Sequence, residues 1–181
     1  MKIHGDKLKK MISQKGIAPE QLAAAIARKG LSQARALTAL SNWTRGRDHP
    51  RCKAEDVSAL ARELGCRVSE IALFTSVFKY HRGSPRKAKL LTDLIRGKSL
   101  DDARNLLTFT TKRAAVDVYK TLMSAYADAE RAEADSTALY VTDSRVDAGP
   151  TMKRFQPKDR GRAHPIMKRM THITVGVEER I

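Results

Sequence analysis

One segment, residues 152–177 with sequence MKRFQPKDRGRAHPIMKRMTHITVGV, restricts the possible folds more than any other part of the chain. Within residues 153–169, seven cations (Lys153, Arg154, Lys158, Arg160, Arg162, Lys168 and Arg169) stand against a single acid, Asp159. Strict alternation follows, with Ile173, Val175 and Val177 on one face and His172, Thr174 and Gly176 on the other, which is the period of a β-strand. Upstream, Leu139 and Val141 alternate in the same way, so the two segments predict antiparallel strands joined by the basic stretch. That stretch has almost nothing apolar to bury, and cations facing each other across two arms repel, so an isolated ribbon of this kind is marginal. It needs an anionic mould. If the flanking strands simply continue, each arm holds about ten residues and spans roughly 30 Å at about 3.3 Å per residue, beyond the body of a small domain. Gly161, near the middle, suits a turn that uses positive φ. A loose basic tail is the weaker reading, because a strand that returns to a core comes next.

The charge of the whole chain points the same way. A net charge of +15 over 181 residues and a pI near 10.2 call for a polyanionic partner, nucleic acid before anionic membrane. No apolar run reaches the length of a membrane span and the first residues lack a secretory apolar stretch, which leads us to expect a cytoplasmic protein with no membrane partner. Cys52 and Cys66 are too few for a disulfide framework, and with His49 they make only three scattered ligands, so neither a metal nor another cofactor is expected. His4, His49, His81, His164 and His172 are dispersed and no phosphate loop or Ser-His-Asp pattern occurs, so the chain is not expected to be an enzyme. In the basic stretch, Arg154, Arg160, Arg162 and Arg169 offer planar forks for phosphate and for stacking, while Lys153, Lys158 and Lys168 act as point charges. Phe155 is either a base-stacking platform or the anchor of the ribbon's root.

Elsewhere the periodicity is helical. A helix over residues 6–15 carries Leu8, Met11 and Ile12 and stops at Gly16; a second opens at Pro19 and runs to Gly30. Ser32 caps a third with Leu37, Leu40 and Trp43 on one face, where Trp43 reads as core, and a fourth carries Val57, Leu60, Ala61 and Leu64 up to Gly65. A short turn, VSEIALF, follows behind Ser69. From about Thr75, SVFKYHR reads as a strand, and Ser84-Pro85 opens a helix with Leu90, Leu91, Leu94 and Ile95 inward. Ser99 and Asp102 begin another that buries Leu100, Ala103, Leu106 and Leu107. The longest helix spans about 112–133, with Ala115, Val118, Leu122, Ala125, Tyr126 and Ala129 in one stripe. Two domains are predicted, 1–74 all-α and 75–181 α+β.

With these elements in order, YHRGSPRKAKLLTDLIRGKSLDDARNLLTF and GPTMKRFQPKDRGRAHPIMKRMTHITVGVEE resemble the L-twenty-two family of large-subunit ribosomal proteins over residues 77–179. The resemblance implies an α+β body of three helices on a three-stranded antiparallel sheet, with a long β-hairpin at about 148–172 projecting into large-subunit ribosomal RNA. The body would sit near the end of the nascent-chain tunnel, and the hairpin tip, Lys158, Asp159, Arg160, Gly161 and Arg162, would form part of the tunnel wall and meet the nascent polypeptide. RNA-facing positions carried over are Ser84, Arg86, Lys87, Arg96, Gly97 and Lys98 on the body, and Lys153, Arg154, Lys158, Arg160, Gly161, Arg162, Lys168, Arg169 and His172 on the hairpin. His172 reads at the same time as a hydrogen-bonding residue at the ribbon's root. Asp159, Pro165 and Met167 depart from the family pattern, and Pro165, which lacks a ladder donor, predicts irregular pairing.

Residues 1–74 are an addition to that family. PEQLAAAIA, TALSNWTRGRDHP and AEDVSALARELGCRVSEI resemble a Cro/repressor-type helix-turn-helix, with a gap between Leu22 and Trp43 longer than the motif usually allows. Arg45, Arg47 and Arg51 cluster after the recognition-like helix as candidate phosphate contacts. The expected partners of this part are further RNA, a neighbouring ribosomal protein or, for a transcriptional regulator, DNA.

Overall fold

A computed structural model describes residues 1–28 and 31–180. The chain divides into two compact units: residues Met1–Phe74 with Asp128–Asp135 and the stretch from Glu178, and residues Thr75–Ala127 with Ser136–Val177.

The first unit is helical around a short strand pair. Strand β1 (Lys2–Ile3) precedes α1 (Gly5–Lys15), α2 (Pro19–Ile26), α3 (Gln33–Thr44), α4 (Ala54–Leu64) and α5 (Val68–Ile71), and the start of β2 (Ala72–His81) pairs antiparallel with β1. The helix ends follow capping chemistry. His4 accepts from the Lys7 N–H at 3.4 Å, Gly16 and Gly65 close α1 and α4 in the left-handed region, and the Asp56 carboxylate accepts from the Lys53 N–H at 3.0 Å. Helix α2 packs against α3 and α4, burying Leu22, Ile26, Ala36, Leu40, Trp43, Val57, Leu60 and Leu64. Around this core, Asp56 holds Arg28, and Glu179 holds Arg67.

Two helix boundaries differ from expectation. Helix α2 ends at Ile26 with Ala27 extended, and the expected stop at Gly30 lies outside the described residues. Helix α5 starts behind Arg67, not Ser69, and lasts four residues; Ser69 is buried inside it with no hydrogen bond on its hydroxyl. Ala72 and Leu73 leave the helix because β1 takes them into a sheet, where fully buried Phe74 follows.

In the second unit the rest of β2 is followed by α6 (Pro85–Ile95), α7 (Leu100–Thr108), α8 (Ala114–Glu130), a 3₁₀ turn at Ser136–Ala138, β3 (Leu139–Ala148), β4 (Met152–Pro157), β5 (Ala163–Lys168) and β6 (Thr171–Glu179). Strand β6 lies between β2 and β3. Residues 173–177 are all buried, so a segment whose alternation suggests one wet face has both faces covered, as a central strand does. Helix α6 lies on β3.

The buried stripe of α6 is Ala88, Leu91, Thr92 and Ile95, whereas Leu90 and Leu94 are 57% and 41% exposed. This corrects the inward placement of those two leucines: the spacing i, i+3, i+4, i+7 is completed by Ala88 and Thr92, and one step along the helix turns a side chain about 100° away. Leu106 and Tyr126 are likewise only half-buried. Helix α8 is the longest, as expected, but it leaves Lys112 and Arg113 in front of its first turn.

The hairpin is not a continuation of β3 and β6. Strands β4 and β5 form a separate antiparallel pair of six residues per arm, from Met152 opposite Lys168 to Pro157 opposite Ala163. The ladder breaks at Gly149-Pro150 and Arg169-Met170, where the Gly149 N–H donates to the Met170 carbonyl at 2.8 Å. A Cβ on Gly149 would come within 3.1 Å of His172 Nε2 and 3.2 Å of the Met170 carbonyl, so only glycine fits this joint without a shift. Pro165 keeps regular register opposite Phe155, contrary to the expected irregularity. The Lys158 N–H donates to the Arg162 carbonyl, so pairs two and four residues further along carry ladder bonds and the 155/165 pair does not. The missing proline N–H therefore costs no bond.

Candidate nucleic-acid interface

The loop after β2 sets the geometry of the site. His81 is buried, with Nδ1 2.6 Å from Asp117 Oδ2 on α8, and its carbonyl accepts from the Gly83 N–H at 3.0 Å. This tight bend turns the chain into α6, where Ser84 is the N-cap and Pro85 the first helical residue. Arg86 and Lys87 occupy the first turn of α6, which carries no acid, and Lys112 and Arg113 directly precede α8. Cations are disfavoured at helix N-termini, where unpaired N–H groups already present partial positive charge. Four of them at two N-termini, with Asp117 the one acid in either first turn, make this a candidate anion site.

His81, Arg82, Gly83, Ser84, Lys87, Lys112 and Arg113 line an open groove of about 600 Å³. A second, of about 630 Å³, shares Arg82, Gly83, Ser84 and Arg113 and extends along the hairpin past Met152, Arg154, Met167, Lys168 and Arg169. Within this unit the two make one cationic surface. Of the residues expected to face RNA, the structure thus gathers Ser84, Lys87, Arg154, Lys168 and Arg169, with Arg86 exposed on the same turn of α6.

Others stand apart. Arg96 directs its guanidinium to the Ser144 carbonyl and, at 3.0 Å, to Asp93. Gly97, in the left-handed region at φ 74°, donates to the Val141 carbonyl at 2.7 Å, and the Lys98 carbonyl accepts from the Val141 N–H at 2.9 Å. This trio is the seam between α6 and β3, with the Lys98 side chain exposed. His172 accepts from the Tyr80 N–H at 3.2 Å and meets the Tyr80 ring edge-on at 5.0 Å, which positions the residue at the hairpin's root.

Along the ribbon, Lys153 and Arg154 are exposed, and Phe155 is 76% exposed in mid-arm, so it is not a buried anchor at the root. At the tip, the Arg162 N–H donates to the Asp159 carbonyl, and both residues between them, Arg160 and Gly161, have positive φ of 49° and 72°, as tight hairpin turns require. Lys158, Asp159, Arg160, Gly161 and Arg162 are all exposed. None of the seven ribbon cations forms an ion pair among the described residues.

Arg82, Lys112 and Arg113 are the groove residues that sequence reading missed. A signal was available: KR immediately before a long helix and R-G-S-P before another, each placing cations where an isolated helix would favour acids. Outside this surface the resolved shifts are structural. Burial, then Asp56 and Asp48, push the Cys52 thiol up to about 12, burial raises Cys66, and the hydrogen bond that Arg67 donates to Glu70 raises Arg67. No cluster among the described residues could hold a metal ion, and no helix is long and apolar enough to cross a membrane.

A bare cationic ribbon rooted in a groove at two helix N-termini is the build of a mixed α/β protein that grips a polyanion. Comparison with known proteins narrows the class. The chain belongs to the ribosomal protein L22p/L17e family, which matches residues 76–178. It is similar to the large ribosomal subunit protein uL22 of Heliobacterium modesticaldum, 53% identical over 106 residues that cover 58% of this chain and 76% of that one. The protein of the same name from Clostridium acetobutylicum is 49% identical over 106 residues, 58% of this chain and 96% of its own.

Proposed function

We propose that this chain is a structural protein of the large ribosomal subunit, held in the cytoplasmic ribosome by the subunit's RNA. The observation that carries the reading is the hairpin of β4 and β5: six-residue arms, almost wholly exposed, in a stretch of seven cations over residues 153–169 that form no ion pair among the described residues. Such a ribbon gains its stabilisation from phosphate. Arginine forks supply paired hydrogen bonds and lysines supply charge, while each neutralised phosphate releases counterions.

In this reading the groove formed by Arg82, Ser84, Lys87, Arg113, Arg154 and Arg169 seats the RNA backbone at the hairpin's root, and neighbouring ribosomal proteins meet the body. The tip at 158–162 reaches the wall of the nascent-polypeptide tunnel. Residues 1–74 form an added helix-turn-helix-like bundle, a reading supported by the packing of α2 on α3 and α4. The test is sedimentation of tagged protein from lysate at moderate salt. It co-migrates with large subunits, and a variant lacking residues 154–162 keeps a folded body while subunit maturation or sensitivity to tunnel-binding drugs changes. Failure of the full chain to co-migrate would overturn the reading.

A further inference from the structure

Residues 42–52 of the first unit form a fixed platform. Asn42 Nδ2 donates to the His49 carbonyl at 2.7 Å, buried Trp43 donates through Nε1 to the Pro50 carbonyl at 2.8 Å, and Asp48 accepts from the Cys52 N–H at 2.9 Å. The backbone adds two bonds of 2.9 Å, Gly46 N–H to the Trp43 carbonyl and Arg47 N–H to the Asn42 carbonyl. Helix α1 supports it closely: a Cβ on Gly5 would fall 2.6 Å from the Trp43 carbonyl oxygen and 2.8 Å from the Gly46 nitrogen.

Arg45, Arg47 and Arg51 stand exposed on this platform, and none of their guanidinium groups has a hydrogen bond or ion pair among the described residues. Elsewhere in the unit Arg28, Arg67 and Arg131 each hold a carboxylate. The platform's one acid, Asp48, is taken by the Cys52 N–H and by Lys2 at 3.9 Å. No acid lies on α3, which exposes a further cation, Arg35. Lys9 of α1 lines one open groove with Arg45.

We propose that this platform is a second RNA contact, in which Arg45, Arg47 and Arg51 hold phosphates of the same RNA that the second unit binds. A protein partner would need an apolar anchor, and none of the exposed large hydrophobic side chains lies within the described part of residues 1–74. Reading of a DNA major groove calls for base-reading side chains along a helix, whereas on α3 the long exposed side chains, Gln33 and Arg35, are confined to the first turn, the other exposed positions are the short Ala34, Thr38 and Ser41, and the arginine cluster sits on the loop behind it. Guanidinium groups on a rigid loop grip backbone, and a preorganised loop loses little freedom on binding. The inference rests on the RNA-binding reading of the second unit, which supplies RNA at high local concentration.

The test uses the full chain, large-subunit ribosomal RNA made by transcription, and filter binding across a potassium chloride series. Two variants are compared with the parent: Arg45→Gln/Arg47→Gln/Arg51→Gln, and Arg154→Gln/Arg160→Gln/Arg162→Gln in the hairpin. Because the three platform arginines have no side-chain partners, the first variant keeps the parent's circular dichroism and melting curve. It lowers the slope of log affinity against log salt by about 2 to 3, as three lost phosphate contacts require. A slope unchanged by the platform variant but lowered by the hairpin variant overturns this inference and leaves the ribosomal reading standing. Slopes unchanged by both overturn the two together. If the platform variant loses affinity for random duplex DNA and not for the RNA, the site is a DNA contact and the inference falls.

Discussion

Replacing Gly83 with alanine probes how the groove is held. An ideal Cβ at that position would lie 2.3 Å from His81 Nε2 and 2.8 Å from its Cδ2, far inside van der Waals contact. Gly83 is not among the residues of positive φ, so the backbone tolerates alanine and the penalty is steric. His81 has little room to retreat, being 5% exposed with Nδ1 2.6 Å from Asp117. Relief requires either opening the bend at the Gly83 N–H or breaking the His81–Asp117 bond. Overpacking costs about 1–3 kcal/mol and an unmade buried hydrogen bond about 1–3 kcal/mol, so Gly83→Ala costs about 2–6 kcal/mol. A double-mutant cycle with His81→Ala, followed by urea unfolding, separates this from any general effect of the methyl group. Without the imidazole the methyl has space, and Gly83→Ala then costs less than about 0.5 kcal/mol. Equal penalties in the two backgrounds, or none in the parent, would refute the reasoning.

Three further outcomes follow from the same structure. Leu91→Ala destabilises by about 2–5 kcal/mol while Leu90→Gln stays within about 0.5 kcal/mol, a contrast that urea midpoints measure directly. The Cys52 thiol is pushed up from 9.0 to about 12 by burial and by Asp56 and Asp48, so the folded state favours the neutral thiol. Its contribution is complete below the unfolded pKa and is lost as pH rises toward 12; the stability gap between the parent and Cys52→Ala shifts against the parent between about pH 9 and 12, as paired denaturation curves will show. Arg160→Gly removes a left-handed non-glycine residue from the tip, and exchange of the Lys158 N–H, bonded to Arg162 at 2.7 Å, slows by about twofold to fivefold.

Periodicity made the core of the helices legible where one stripe is decisive. Leu22, Leu40, Trp43, Val57, Leu60 and Leu64 are buried as their spacing requires. It misled on α6, because KAKLLTDLI contains two overlapping leucine stripes, Leu90/Leu94 and Leu91/Ile95, and only contact with β3 selects between them. Hydropathy cannot see that Ala88 and Thr92 complete the chosen stripe. The interruption of the hairpin ladder was illegible for a different reason. Gly149 and Pro150 read as ordinary turn formers, while the close approach of His172 and Met170 that demands glycine arises only once β6 has returned.

For the site, excess charge was legible and its focus was not. Counting cations finds the ribbon, because seven of them fall within residues 153–169. It does not find Arg82 and Arg113, which come from two distant loops and meet the hairpin root only in the folded unit, or Lys112, which lines the adjoining groove. Helix electrostatics links those places. A cation at a helix N-terminus is a local cost when no anion is present: α6 carries two in a first turn without an acid, and α8 follows two with Asp117 as the one acid of its first turn. These cations converge on one groove, beside a ribbon whose own charges repel, so the free surface carries an excess of positive charge. One polyanion would neutralise both at once, which is the argument for the proposal that groove and ribbon act as a single RNA-binding surface and not as a folded body with a basic appendage.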